Sequence, residues 1–161
     1  MLQIRPLESA DVAMIERWPP YVGDMEQMDF ALREAGWLDE FRLQPGTFAF
    51  VAEDDAELVA FTMLARTDAP EAEFRIAVRA DRTGQGLGEA VVIQTLRLGF
   101  HEHLLSRIHL IVRKNNGRAI RLYRRVGFLE QGECRREVCG QVVDFWRMGI
   151  EREEFVRLHR V

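Results

Sequence analysis

Two stretches of this chain combine residue types and spacing that can do chemistry. The first is Arg82-Thr83-Gly84-Gln85-Gly86-Leu87-Gly88-Glu89, between a predicted strand and a predicted helix. Glycines at alternate positions let a ligand come close to the backbone, and the helix that follows points free N–H groups and its positive dipole end outward. Phosphate is the ligand such a turn suits best. Glu89 stands where the third glycine of a dinucleotide Gly-x-Gly-x-x-Gly turn would fall, and no Lys-Ser or Lys-Thr pair follows, so neither a Rossmann fingerprint nor a P-loop is present. The second stretch runs from Asn115 to Phe128 and reads as a helix, Gly117 to Val126, closed by Gly127 in the left-handed C′ position. Seven residues are close to two helical turns, which puts Asn116 and Tyr123 on one face with small Ala119 between them. Taken alone, Tyr123 is a core aromatic with a satisfied hydroxyl.

Other reactive residue types form no constellation. His101 and His103 are two apart on a predicted helix, roughly 200° around it, and make no metal pair. Cys134 and Cys139 flank a hairpin and read as inert thiols. Trp18, Trp37 and Trp146 read as core or groove walls. Arg118, Arg121 and Arg125 form a stripe on the second helix, preceded by Arg113 and Lys114, without the interleaved aromatics or basic domain that nucleic-acid binding wants.

The elements that must position these residues follow from periodicity and punctuation. Leu2 and Ile4 give a short strand ending at Pro6, and Ser9 caps a helix that continues to about Trp18. A second helix is predicted from about Asp24 to Ala35, ended by Gly36. Strands follow around Phe48 and Phe50 and from Leu58 to Leu64, with Glu53-Asp54-Asp55 as the hairpin turn between them. Glu73 to Val78 is a third strand, Glu89 to about Phe100 a helix, and Ile108 to Val112 a buried strand. Two last strands, about Phe128 to Arg135 and Val142 to Ile150, meet near Gly140. The pattern is α+β, a mixed seven-stranded sheet with helices on both faces, in one domain spanning residues 1 to 161.

Composition sets the outer bounds. Of 161 residues, 47% are hydrophobic and 30% charged, which is globular composition and excludes extended disorder. The longest uncharged run, Leu43 to Ala52, is about half a membrane span, and the charged N-terminus leaves no room for a signal-peptide core. A cytoplasmic protein is the expectation, with no membrane or nucleic-acid partner; a homodimer stays open. Net charge is −4, unevenly spread: residues 1–96 hold 8 arginines against 18 acids, whereas residues 97–147 hold 11 basic residues against 5 acids. One anionic and one cationic substrate would match that asymmetry.

The glycine turn resembles the pyrophosphate loop of the GNAT superfamily of acyl-CoA-dependent N-acyltransferases, with Gly86 and Gly88 at its two small positions. Thr83 stands where that loop carries Arg or Gln; Arg82 precedes it by one residue. Asn116, Ala119, Tyr123, Gly127 and Phe128 match the family's Asn-x-x-Ala-x-x-x-Tyr-x-x-x-Gly-Phe segment at every position. Ile4-Arg5-Pro6-Leu7 with Asp11, the strand Ala72 to Val78, and Gly132-Glu133 with Gly140 and Asp144 to Met148 resemble the branch holding ribosomal-protein N-terminal and polyamine acetyltransferases. Residues Trp18 to Leu43, which help wall the acceptor site in that family, resemble nothing specific.

The resemblance implies acetyl-CoA as co-substrate and direct transfer to a primary amine in a ternary complex, with no acyl-enzyme and no metal. It places the pyrophosphate on Thr83, Gly84, Gln85, Gly86, Leu87, Gly88 and Glu89, and the pantetheine arm beside Asn116 and Ala119. It gives the oxyanion contact to backbone N–H groups around Ile76, Ala77 and Val78. Glu73 becomes the base that removes the amine's proton, directly or through water, against the alternative of a salt bridge with Arg75. Tyr123 becomes the donor to the leaving sulfur. A small cationic, polyamine-like acceptor fits the acidic first half, with Asp24, Glu26, Asp29, Asp39 and Glu40 as its candidate site. Protein N-termini or lysines, or acyl-CoA binding without catalysis, are the rival readings.

Overall fold

A computed structural model of the chain describes residues 1–23, 26, 36–38, 45–68 and 70–160. Its strands are β1 Leu2–Pro6, β2 Thr47–Asp54, β3 Glu57–Arg66, β4 Glu71–Val78, β5 Arg107–Arg113, β6 Leu129–Val138 and β7 Gln141–Glu151. Four α-helices are described: α1 Ser9–Glu16, α2 Leu87–His101, α3 Gly117–Val126 and α4 Arg152–His159, with a 3₁₀ turn at Ala80–Arg82. The strands form one sheet in the order β1-β2-β3-β4-β5-β7-β6. Pairing of β4 with β5 is parallel, whereas β1–β2, β2–β3, β5–β7 and β6–β7 are antiparallel, so the sheet is mixed as the sequence predicts.

Two compact units make up the chain, and β4 and α2 each run from one into the other. The first comprises Met1–Arg66 and Arg75–Thr95. Here β3 is buried from Leu58 to Ala65, a near-continuous apolar run with both faces covered. Its core gathers Ile15, Trp18, Phe61 and Met63 around Ala77, with Val59, Ala60 and Val91 in a smaller cluster. Thr62 and Thr95 are buried as well, and their hydroxyls satisfy each other at 3.0 Å.

The second unit comprises Thr67–Phe74 and Leu96–Val161. Strict alternation governs β5: Ile108, Leu110 and Val112 are buried, and Arg107, His109, Ile111 and Arg113 occupy the other face. Phe100 and Phe155 meet at 5.2 Å between ring centres in its core. Each such fully buried side chain contributes roughly 1.5–3 kcal/mol.

Three expectations need correction. Glu8, not Ser9, is the N-cap of α1, because Asp11 in the first turn accepts the Glu8 N–H at 2.8 Å while Arg5 grips the same carboxylate at 2.7 and 2.8 Å. The β2–β3 turn is Asp55-Ala56, both left-handed with φ of 51° and 70°, and Glu53 and Asp54 stay in β2. Two positive φ values match the strand twist in a two-residue loop. Helix α4 was not foreseen; Phe155 anchors it, and the His159 ring nitrogen donates to the Val126 carbonyl at 2.7 Å. The helix predicted over Asp24–Ala35 lies outside the described residues, as do Asp24, Asp29, Asp39 and Glu40; Glu26 is exposed.

Candidate active site

In the first unit, β4 delivers the chain to the glycine turn. The Tyr21 hydroxyl donates to the Val78 carbonyl, and the Arg79 N–H bonds the Val59 carbonyl at 2.8 Å, which fixes the end of the strand. The 3₁₀ turn follows, and the Thr83 hydroxyl donates to the Ala80 carbonyl at 3.0 Å. Gly84 and Gly86 then take φ of 76° and 79°, the left-handed region that glycine enters without steric cost. A Cβ at position 86 would meet nothing within 4 Å, so it is the backbone angle, not crowding, that calls for glycine there. Residues 84 to 86 are exposed, and α2 begins at once with Leu87 and Gly88. Open backbone at a helix N-terminus fits a pyrophosphate.

Arg82 has a different place from the one its charge suggests. Its guanidinium bonds Asp54 at 2.6 Å, Glu57 at 3.3 Å and the Gln85 side chain at 2.9 Å. Thus the cation adjoining Thr83 is held by two carboxylates of the β2–β3 hairpin. Two carboxylates converging on one arginine of the turn could not be read from a sequence in which they lie 25 and 28 residues away.

In the second unit, Asn116 is the N-cap of α3, and its Oδ1 accepts the Ala119 N–H at 3.2 Å. Asn116 stands one position ahead of the helix, and its side-chain carbonyl closes the first turn. Two turns later Tyr123 is buried, 5.6 Å from the Phe128 ring and 6.5 Å from the Phe74 ring, both edge-on. Its carbonyl receives the N–H groups of Gly127 and Phe128 at 3.1 and 2.9 Å, so the Gly-Phe exit locks the tyrosine's own backbone. Burial pushes the Tyr123 phenol above its ordinary pKa, and it stays protonated across the neutral range.

Glu73 lies on β4, half-buried, in register with His109 of β5. The neighbouring pair Glu71 and Arg107 on the same face is an ion pair at 2.6 Å. His109 shares a hydrogen bond of 3.1 Å with Thr67 Oγ1. Burial holds its imidazole below the ordinary value, and Arg107 adds to this against the opposite pull of Glu73 and Glu71. A neutral imidazole beside Glu73 was absent from the sequence reading, because strand register is not visible in sequence. Arg75, the alternative partner considered for Glu73, has its guanidinium 5.8 Å from the Trp37 ring centre. Among the described residues, no group of three or more His, Cys, Asp or Glu could hold a metal ion.

The acetyltransferase (GNAT) family profile matches residues 10–128, which include both motifs. The chain belongs to that family. As a GNAT acetyltransferase it draws its acetyl group from acetyl-CoA and transfers it to an amine. Spermidine N(1)-acetyltransferase of Escherichia coli K12 is 27% identical over 99% of this chain and 90% of its own length. A solved spermidine N-acetyltransferase SpeG chimera from Vibrio cholerae and hSSAT superposes with a TM-score of 0.81 at 26% identity, covering 96% of this chain and 98% of that one. The Vibrio cholerae spermidine N-acetyltransferase in complex with CoA and spermine shares the fold, with a TM-score of 0.76 at 24% identity over 96% and 98% of the two chains.

Proposed function

We propose that this GNAT acetyltransferase acetylates a polyamine, a small linear polycation with primary amines at its ends. The observation that carries the reading is the similarity to the Escherichia coli spermidine N(1)-acetyltransferase over nearly the whole chain. The excess of acids in residues 1–96 supports a cationic acceptor. The family match runs from residue 10 to 128 across both units, which supports reading residues 1 to 161 as one catalytic domain. The reading implies the cytoplasm as the site of action.

An alkylammonium with a pKa of about 10.4 must lose a proton before its nitrogen can attack a thioester. Glu73 takes that proton, directly or through water. Backbone N–H groups at Ile76, Ala77 and Val78 bind the carbonyl oxygen as it becomes negative. The turn from Thr83 to Glu89 binds the pyrophosphate through its backbone, and Asn116 and Ala119 flank the pantetheine arm. Tyr123 then faces the sulfur as the carbon–sulfur bond breaks. A phenol ordinarily near pKa 10, raised further by burial, is a weaker acid than a thiol near 8.5. Complete transfer of its proton to the thiolate is uphill, so Tyr123 stabilises the leaving sulfur chiefly by donating a hydrogen bond. The thiolate is protonated by the second proton that the nitrogen sheds as the amide forms, directly or through water.

The test is release of CoA thiol with a polyamine, a neutral amino amide and an N-terminal peptide as acceptors, each at low and high salt. The polyamine is the expected substrate, and its KM should rise with salt because the Debye length falls from about 10 Å at 0.1 M to 3 Å at 1 M. Preference for the peptide would assign a protein substrate instead, and binding of acetyl-CoA without any release would indicate a non-catalytic module.

A further inference from the structure

The first position of the pyrophosphate turn is a threonine, and the structure gives its hydroxyl proton to the Ala80 carbonyl at 3.0 Å. No long polar side chain therefore reaches out from position 83. The nearest cation, Arg82, is turned toward protein carboxylates: Nη2 on Asp54 at 2.6 Å, Nη1 on Glu57 at 3.3 Å and Nε on Gln85 Oε1 at 2.9 Å. Gln85 lies between Gly84 and Gly86, the two left-handed glycines, so one guanidinium ties the tip of the turn to the β2–β3 hairpin. Arg79 braces the same region, on Asp81 at 2.6 Å, Glu57 at 3.4 Å and the Leu58 carbonyl at 3.2 Å. The N-terminal amine lies 3.5 Å from Asp54 and 3.0 Å from Asp55. Arg82, ahead of that amine, holds the Asp54 carboxyl below its ordinary pKa, so it is ionised at neutral pH.

We propose that Arg82 is a positioning residue: clamped by Asp54 and Glu57 and bonded to Gln85, it holds the glycine turn in the shape that receives pyrophosphate, without itself touching phosphate. This rests on reading the turn as the acetyl-CoA pyrophosphate site. The physical advantage is preorganisation. Two glycines with free φ must otherwise be ordered when the ligand arrives, and a planar fork held on both edges removes much of that cost beforehand.

The proposal makes a prediction opposite in sign to simple electrostatics. Asp54 and Glu57 are negative charges near an anion site, so neutralising either should strengthen acetyl-CoA binding if charge alone counts. The same holds if Arg82 is a phosphate ligand that they restrain. If Arg82 is a strut, neutralising them loosens the turn and binding weakens. Titration calorimetry of acetyl-CoA with the full chain decides, using Asp54→Asn, Glu57→Gln, Arg82→Ala and the double variant Asp54→Asn/Arg82→Ala. Thermal melts confirm folding, and Gly86→Val serves as the control on the turn itself. Asp54→Asn and Arg82→Ala should each raise Kd by about three- to tenfold. The double variant should be no worse than the weaker single, and KM for acetyl-CoA should rise more than kcat falls. Should Asp54→Asn not fold, Glu57→Gln carries the same test of sign. Tighter or unchanged binding in these variants, with Gly86→Val still abolishing it, overturns the strut and leaves the turn assignment standing. Unchanged affinity in folded Gly86→Val removes the turn assignment and the strut with it.

Discussion

Replacing Tyr123 by Phe removes one hydroxyl and little else. The ring keeps its edge-on contacts with Phe74 and Phe128, and the backbone bonds from Gly127 and Phe128 to the residue 123 carbonyl do not involve the side chain. Stability should therefore change by no more than about 1 kcal/mol, the ordinary net value of a single hydrogen bond. On the role proposed for Tyr123, as donor to the sulfur on which negative charge develops, the catalytic cost is larger. Loss of one such donor costs about 10² to 10³ in kcat, or roughly 2.7–4 kcal/mol of transition-state stabilisation. Thiol release under saturating acetyl-CoA and polyamine measures this, and calorimetry should find the acetyl-CoA Kd unchanged within about twofold. Since burial raises the phenol's pKa above its ordinary value, Tyr123 stays protonated between about pH 6 and 9. It should contribute no fall in wild-type kcat over that interval. A loss of less than about threefold in kcat would make Tyr123 a packing residue and refute the reasoning.

Three further outcomes follow. Glu73→Gln should lower kcat by about 10² to 10⁴, with part of the rate recovered as pH rises and more of the amine is already neutral; a pH-independent loss would reassign Glu73 to structure. Gly86→Val places a branched residue at φ 79° and should abolish the thermal shift given by acetyl-CoA while the protein remains folded. Asp11 is buried and held below the ordinary carboxylate pKa, first by Arg5. Its stabilisation is full above the unfolded value of about 3.9 and is lost as pH falls through the lower folded value. Asp11→Asn should cost about 1.5–3 kcal/mol in urea unfolding at pH 7 and converge on wild type toward pH 2; a constant difference across pH would contradict this.

What was legible in the sequence tracks what is local. Gly127 at φ 123° and the bounds of α3 could be read because a left-handed glycine ends a helix within a few residues. Alternation on β5, the β6–β7 hairpin and the glycine turn are likewise properties of short windows. The N-cap of α1 was misplaced by one residue because Asp11, three residues along, does the capping, with a guanidinium from β1 behind it. Helix α4 was missed because only Phe155 of its eight residues is buried, too few apolar positions to mark a period. Asn116 and Tyr123 became site candidates through the family segment they match, and the cap role of Asn116 depends on where the helix begins. The clamp on Arg82 and the pairing of His109 with Glu73 are long-range facts, set by a hairpin tip and by strand register. No sequence window contains them.

The most direct test of the account is to incubate the full chain with acetyl-CoA and spermidine and follow, in the same reaction, CoA thiol and the mass of the amine product. The account predicts one thiol released for each monoacetylated spermidine, with a kcat/KM well above that for an N-terminal peptide. Thiol release without acetylated spermidine, or acetylation of the peptide in preference to it, would contradict the central claim.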